Sequence, residues 1–212
     1  INSIAQAPAY LNRATALKEM PVAPPEVEGS SYLNEDWVQG NIEIKKNTLI
    51  EDVPLRYDLE NQALEIKYED EVRICPLDRI QNFSYLNLER NQFKYFNTSE
   101  INNIGFDLPK GICRVLVKDN TTLIKHIYTV KVEGTYNLAL SMGDPGHKIM
   151  QKETPYAIVD DKVYEVKNSF KRNSDIFGDK SQRVKAFVKK NKLKFKSEKD
   201  LIEIFEFHNS LQ

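Results

Sequence analysis

The sequence predicts an α+β fold: an antiparallel β meander, flat or curled toward a barrel, followed by a C-terminal hairpin and two or three helices. Three observations carry this reading. Apolar residues recur at period two in short runs from Trp37 to about Val132, polar turn segments separate those runs, and after Asn168 the apolar spacing changes to i, i+3, i+4.

Residues 8–28 hold Pro8, Pro21, Pro24 and Pro25 and little periodicity beyond a short helical turn at Leu11 to Met20, so 1–28 reads as a flexible arm. The first strand sets Val38, Gly40, Ile42 and Ile44 against Gln39, Asn41, Glu43 and Lys45. The same alternation returns in Val53-Leu55-Tyr57, Leu64-Ile66-Tyr68 and Val72-Ile74, and the short polar breaks between them suit antiparallel hairpins. Strand-like runs continue at Ile80 to Leu86, Gln92 to Phe96, Ile112 to Lys118 and Thr121 to Val132, the last two joined at Asp119-Asn120. Gly143, Pro145 and Gly146 mark 136–155 as a linker, dividing a β domain at 29–135 from a second unit at 156–212. That unit opens with a hairpin, Tyr156 to Val159 and Val163 to Val166. It continues with one helix carrying Val184, Phe187 and Val188 and another carrying Leu201, Ile204, Phe205, His208 and Leu211. Ser197, three residues before Asp200, resembles a capping box that starts the last helix near Glu198. Between the helices Leu193 and Phe195 alternate with lysines, as in an extended segment with its apolar side inward.

The 212 residues, 41% of them apolar, suffice for a real core. No run reaches the roughly 18 to 20 consecutive apolar residues of a membrane-spanning helix, so no transmembrane segment is expected. The formal net charge is −1, which argues against a polyanion binder by bulk charge, and nucleic acid is not an expected partner. The charge is nonetheless polarised. Residues 26–71 carry thirteen acids against four bases, and residues 179–199 carry nine bases against two acids. Lys189, Lys190, Lys192 and Lys194 are the core of that basic stretch and the candidate contacts for an anionic partner; the competing reading is a solvated face offset by the acidic region of the same molecule.

Catalytic constellations are not apparent. His126, His147 and His208 fall in a strand, a loop and a helix, and no Gly-rich phosphate loop, nucleophile elbow or Cys–His pattern is present. Asp144-Pro-Gly-His147 could face a carboxylate to an imidazole across a turn, but metal sites need more ligands than that. The acidic clusters 69–71 and 160–161 sit at expected turns. No catalytic, cofactor or metal residue is therefore assigned. A hydrolase working through carboxylates of the sheet is the alternative, and it requires two of them facing across a cleft. Phe83, Tyr85, Phe93, Tyr95 and Phe96 gather on neighbouring strands, where core packing competes with a ligand groove. Cys75 shares a strand face with Glu71 and Arg73, and Cys113 with Val115 and Val117; two free thiols, one half-exposed and one buried, fit this better than a disulfide.

Gly29-Ser-Ser-Tyr-Leu33, Trp37-Val-Gln-Gly40, Val53-Pro-Leu-Arg-Tyr57 and Leu64-Glu-Ile66, with Phe187-Val-Lys-Lys-Asn-Lys-Leu193, Glu198-Lys-Asp-Leu201 and His208-Asn-Ser-Leu211, resemble the two ends of small exported proteins of unknown function from outer-membrane-bearing bacteria. The family tail has Tyr where this chain has His208. The resemblance implies export and a periplasmic or outer-membrane-associated setting and supplies no activity; together with the missing catalytic constellations it leads to the expectation of a non-enzymatic accessory protein that acts by interaction, with an envelope protein or surface polymer as partner and no cofactor. It favours Ala5-Gln6-Ala7 as a signal-peptidase site over an ordinary frayed end. Within the resembling motif, Arg56 and Tyr57 are the candidate interaction residues, with a sheet-stabilising role as the competing one.

Overall fold

The computed structural model describes residues 27–44, 48–86, 92–97 (backbone only), 107–134 and 146–211. The fold is α+β: eleven strands among the described residues, then a C-terminal helical region. The strands are β1 (Val27–Glu28), β2 (Val38–Ile44), β3 (Thr48–Asp58), β4 (Ala63–Tyr68), β5 (Glu71–Pro76), β6 (Ile80–Leu86), β7 (Gln92–Asn97), β8 (Ile112–Val117), β9 (Thr121–Glu133), β10 (His147–Val159) and β11 (Lys162–Glu165). Their spatial order is β1-β10-β9-β8-β7-β6-β2-β3-β4-β5, with β11 also on β10. Among the described residues no ladder joins β1 to β5, so the sheet stays open rather than closing into a barrel. Every pair is antiparallel except β1 with β10.

Local chemistry places the turns. Asp58 ends β3 by accepting from the main-chain N–H groups of Glu60 at 2.9 Å and Asn61 at 3.1 Å, which satisfies a bend that the β3–β4 ladder cannot. Asp160 and Asp161 both take positive φ in the two-residue β10–β11 turn, the geometry that matches strand twist. Gly40 in β2 lies so close to the Ser84 carbonyl and Leu55 that a Cβ there would collide with both.

Two expectations need correcting. The stretch read as linker through residue 155 is strand from His147 onward, since β10 pairs with β9 along its whole thirteen-residue length; its mixed exposure blurs the alternation that would have announced it. The arm likewise ends in structure, because Val27 and Glu28 pair with His147 and Lys148, while the Leu11–Met20 turn and the Ala5-Gln6-Ala7 site lie outside the described residues.

Burial divides into three clusters. Under the N-terminal strands Ile42, Leu55, Tyr57, Leu64, Ile80, Phe83 and Tyr85 pack together. The C-terminal strands are covered on both sides: Leu123 and Ala157 meet the helices, whereas their neighbours Ile124 and Tyr156 face Cys113 and Leu108 on the other side, as period-two strands dictate. The helical region comprises α1 (Phe170–Asn173), a 3-10 stretch (Ser174–Lys180), α2 (Ser181–Asn191) and α3 (Glu198–Ser210). Ser197 Oγ accepts from Asp200 N at 3.3 Å and so caps α3 as expected. Glu198, at the first turn of α3, is held by Arg114 and Lys125 from the sheet, and Lys125 also reaches Glu153 at 2.7 Å. Cys75, half-buried, and Cys113, buried, are not joined in a disulfide.

Candidate functional site

Period two sorts the N-terminal motif onto two faces. Leu55, Tyr57, Leu64 and Ile66 turn inward, so Arg56 and Glu65 turn outward. Arg56 stands opposite Glu65, and Glu65 opposite Ile74, in one row across β3, β4 and β5. The segment before β2 folds over the end of this row. Leu33 N donates to Tyr57 O at 2.8 Å, and Leu59 N donates to Ser31 O at 2.8 Å, which lays residues 31–33 along the end of β3. Tyr32 and Trp37 are thereby brought to Arg56. Its guanidinium lies 3.9 Å from the Tyr32 ring centroid and 4.8 Å from that of Trp37, with Nη2 donating to Glu65 Oε2 at 2.7 Å and Nε to the same oxygen at 3.0 Å. The Tyr32 hydroxyl donates to Glu65 Oε1 at 3.0 Å.

The Gly29–Leu33, Trp37–Gly40, Val53–Tyr57 and Leu64–Ile66 motifs, up to thirty residues apart in the chain, therefore converge on one stacked cation. A planar guanidinium stacks on aromatic faces and satisfies a carboxylate with its forked donors, which an ammonium cannot do. The hydrogen bond to Glu65 holds the Arg56 guanidinium still more firmly protonated. Burial, followed by that same carboxylate, pushes the Tyr32 phenol above its usual range. Arg56 remains a quarter exposed, so the stack is a surface feature.

Beyond Glu65 the row becomes apolar and bare. Ile74 is 69% exposed and Val72 52% exposed on the same side of β5, the terminal strand of the spatial order. Sequence reasoning did not single out this pair, although the signal was present in two β-branched residues alternating with charges next to a tight turn. Tyr57, by contrast, is wholly buried, stacked on Phe83 with centroids 5.5 Å apart. Its hydroxyl finds no hydrogen-bond partner among the described residues, and burial raises its pKa well above the usual phenol range. Of the two motif residues, only Arg56 reaches the surface.

Lys189, Lys190, Lys192 and Lys194 are all exposed, at the end of α2 and just beyond it. None of them forms an ion pair among the described residues, so the acidic sheet region does not neutralise them by contact. Their apolar neighbours turn inward: Phe195 is buried, Leu193 half-buried, and Phe187 stacks on Phe207 with centroids 3.9 Å apart. A cleft of about 320 Å³ there has Phe170, Val188, Leu193 and Phe195 in its wall together with Lys194 and Lys196.

A larger cleft, about 450 Å³, opens between the β10–β11 turn and the 3-10 stretch, with Asp160, Asp175, Asp179, Lys162, Lys180 and His208 among its lining residues. All three aspartates are exposed. His208 instead belongs to a clamp. Its Nε2 lies 3.1 Å from Thr121 Oγ1, while the Asn209 amide accepts from Thr121 N at 3.0 Å and donates to Thr121 O at 2.9 Å, so the end of α3 is fastened to the start of β9. His126 is fully buried against Tyr128, with ring centroids 4.9 Å apart. His147 begins β10, while Asp144 and the side chains of Phe93, Tyr95 and Phe96 lie outside the described residues. Among the described residues no group of three His, Cys, Asp or Glu side chains could hold a metal ion, and no helix is long and apolar enough to cross a membrane. No protein-family model, curated protein or solved structure matches the chain.

Proposed function

We propose that the protein is a non-enzymatic accessory protein of the bacterial envelope that works by binding, and that its binding face is the outer side of β3–β5. The observation that carries the reading is the outer row Arg56–Glu65–Ile74, in which a stacked, quarter-exposed cation adjoins two apolar side chains left in water. Interfaces favour this composition: aromatic and arginine groups, pre-ordered so that little side-chain entropy is lost, beside apolar surface that gains by being covered. Export and an envelope protein or surface polymer as partner rest on the resemblance of the two chain ends. The test is the fraction of protein that sediments with envelopes from cells producing it. Ile74→Lys lowers that fraction several-fold while the melting temperature stays at the parent value; a parent found only in the cytosolic fraction, or a variant that sediments like it, overturns the reading.

A second reading, capture of an anionic lipid or surface polymer by the basic unit, is favoured by the cleft in which Lys194 and Lys196 flank an apolar wall. That combination suits a ligand with a charged head and an apolar body. The charge-removal variant argued last in the Discussion tests it.

A further inference from the structure

The edge of β5 carries a pattern that the outer-face reading does not use. Among the described residues β5 pairs only with β4. The two-residue Glu69–Asp70 turn makes Tyr68 and Glu71 a hydrogen-bonded pair, and alternation along an antiparallel ladder fixes the rest. The far end agrees: Leu77 N donates to Gln62 O at 3.3 Å, and Pro76, which has no N–H, falls opposite Ala63 at a non-hydrogen-bonded position. The main-chain groups of Glu71, Arg73 and Cys75 therefore turn toward β4, while the N–H and C=O of Val72 and Ile74 point outward. Such an edge is a template for another strand.

We propose that two copies of this chain join along that edge, β5 antiparallel to β5, about a twofold axis at Val72. An axis perpendicular to the sheet keeps each residue on its own face, so the pairing can centre on Val72, Arg73 or Ile74. Centring on Arg73 sets two guanidiniums against each other. Centring on Ile74 places Val72 opposite Pro76, which lacks the donor to complete the pair. Centring on Val72 lets the two valines exchange both main-chain hydrogen bonds, leaves Ile74 opposite the partner's turn, and puts Glu71 opposite the partner's Arg73 twice, so charge complementarity rather than ladder length selects this register. Those two charge pairs fall at non-hydrogen-bonded positions, where cross-strand side chains come nearest. Glu71 and Arg73 already pair within the strand, with side chains 65% and 66% exposed, so in the dimer four charges alternate around a square and each carboxylate lies between two guanidiniums. The inference is independent of the outer-face reading, because Glu71 and Arg73 lie on the opposite side of β5 from Ile74.

Sedimentation equilibrium of the full chain over a concentration series at low ionic strength tests it. The parent shows a monomer–dimer equilibrium. Glu71→Arg and Arg73→Glu each weaken it about tenfold or more, since like charges then face each other. An equimolar mixture of those two variants associates about as tightly as the parent, because each supplies the charge the other lacks. Ile74→Lys, which lowers envelope association several-fold under the outer-face reading, leaves the dimer intact, so the two ideas fail separately. A parent that stays monomeric throughout, single variants that dimerise like the parent, or a mixture no tighter than its components overturns the proposal. Unchanged circular-dichroism melts of the variants establish that folding is not the cause.

Discussion

The N-terminal strands and the C-terminal helices use their sequence motifs in different ways. In the C-terminal unit the apolar and capping side chains of the motifs are engaged inside the molecule: Phe187 stacks on Phe207, Asp200 accepts from Lys194 N at 2.8 Å, Leu201 is buried, and His208 with Asn209 clamps Thr121. In the N-terminal region the inward half of the motif builds a core, but Tyr32, Trp37, Arg56 and Glu65 build an ordered patch that still meets solvent. Packing accounts for those C-terminal side chains but not for Lys189, Lys190 and Lys192 of the same stretch, which are exposed. For the N-terminal patch it explains only why the side chains hold still, and a rigid, partly exposed aromatic–cation stack beside bare Val72 and Ile74 is what a partner surface requires.

Cutting into each region separates them. Phe205 is fully buried among Phe177 and the helix–sheet contacts, so Phe205→Ala costs about 3 to 5 kcal/mol by leaving a cavity. Denaturant unfolding measures it, and a variant as stable as the parent makes the helices an appendage. Arg56→Ala has a smaller effect. Glu65, 14% exposed, loses both Arg56 hydrogen bonds yet keeps the one from Tyr32, so the cost is about 1 to 2 kcal/mol after allowance for solvent at the pair. Trp37 is the only tryptophan, so its fluorescence reports the loss of the stack directly. Arg56→Lys keeps the charge but not the planar fork, and recovers less than half of that stability; full recovery means that charge alone matters at this site.

Much of this was legible in the sequence, for physical reasons that also set the limits. Alternation announced β2 and β3 because one face of each is drier than the other, β5 was announced only by Val72 and Ile74 alternating with charges although neither of its faces is buried, and Ser197 with Asp200 announced the start of α3 because a cap is local chemistry. β10 was missed over 147–155 because its pairing with β9 is a tertiary fact while its exposed residues break the pattern. Arg56 was singled out beside Tyr57, but adjacent strand residues point to opposite faces, so only one of the two could reach a partner. The stack itself depends on residues 31–33 bridging to β3, a contact that no periodicity encodes.

Acid sharpens the comparison in the other half. Burial lowers the pKa of His126, against an opposing effect of the Pro109 carbonyl, and lowers that of His208, with Lys180 adding to the shift and Asp179 opposing it. Each imidazole thus stays neutral in the folded chain at a pH where the unfolded chain binds a proton. The unfolded state then holds more protons, so stability declines as pH falls below about 6.5, the ordinary histidine value. His208→Gln keeps a polar group near Thr121 and flattens that decline. Melts at pH 7.5 and 5.5 measure it, and an unchanged slope removes His208 from the account. Arg56→Ala leaves the slope as it was, since no histidine touches the stack.

The smallest effect on stability belongs to the basic unit. Replacing Lys189, Lys190, Lys192 and Lys194 together with Gln removes four positive charges while leaving Val184, Phe187, Val188 and Leu193 in place. These side chains are exposed and form no ion pair among the described residues, so folding stability changes by no more than about 0.5 kcal/mol. Binding gives the sharper readout. If the unit captures an anionic surface, the parent binds vesicles containing anionic lipid with an affinity that falls steeply as salt rises, because neutralising each charge releases counterions. The variant then loses most of that affinity along with most of the salt slope. A parent that ignores anionic vesicles at low salt leaves these lysines as a solvated face, and the binding proposal resting on the outer row of β3–β5 alone.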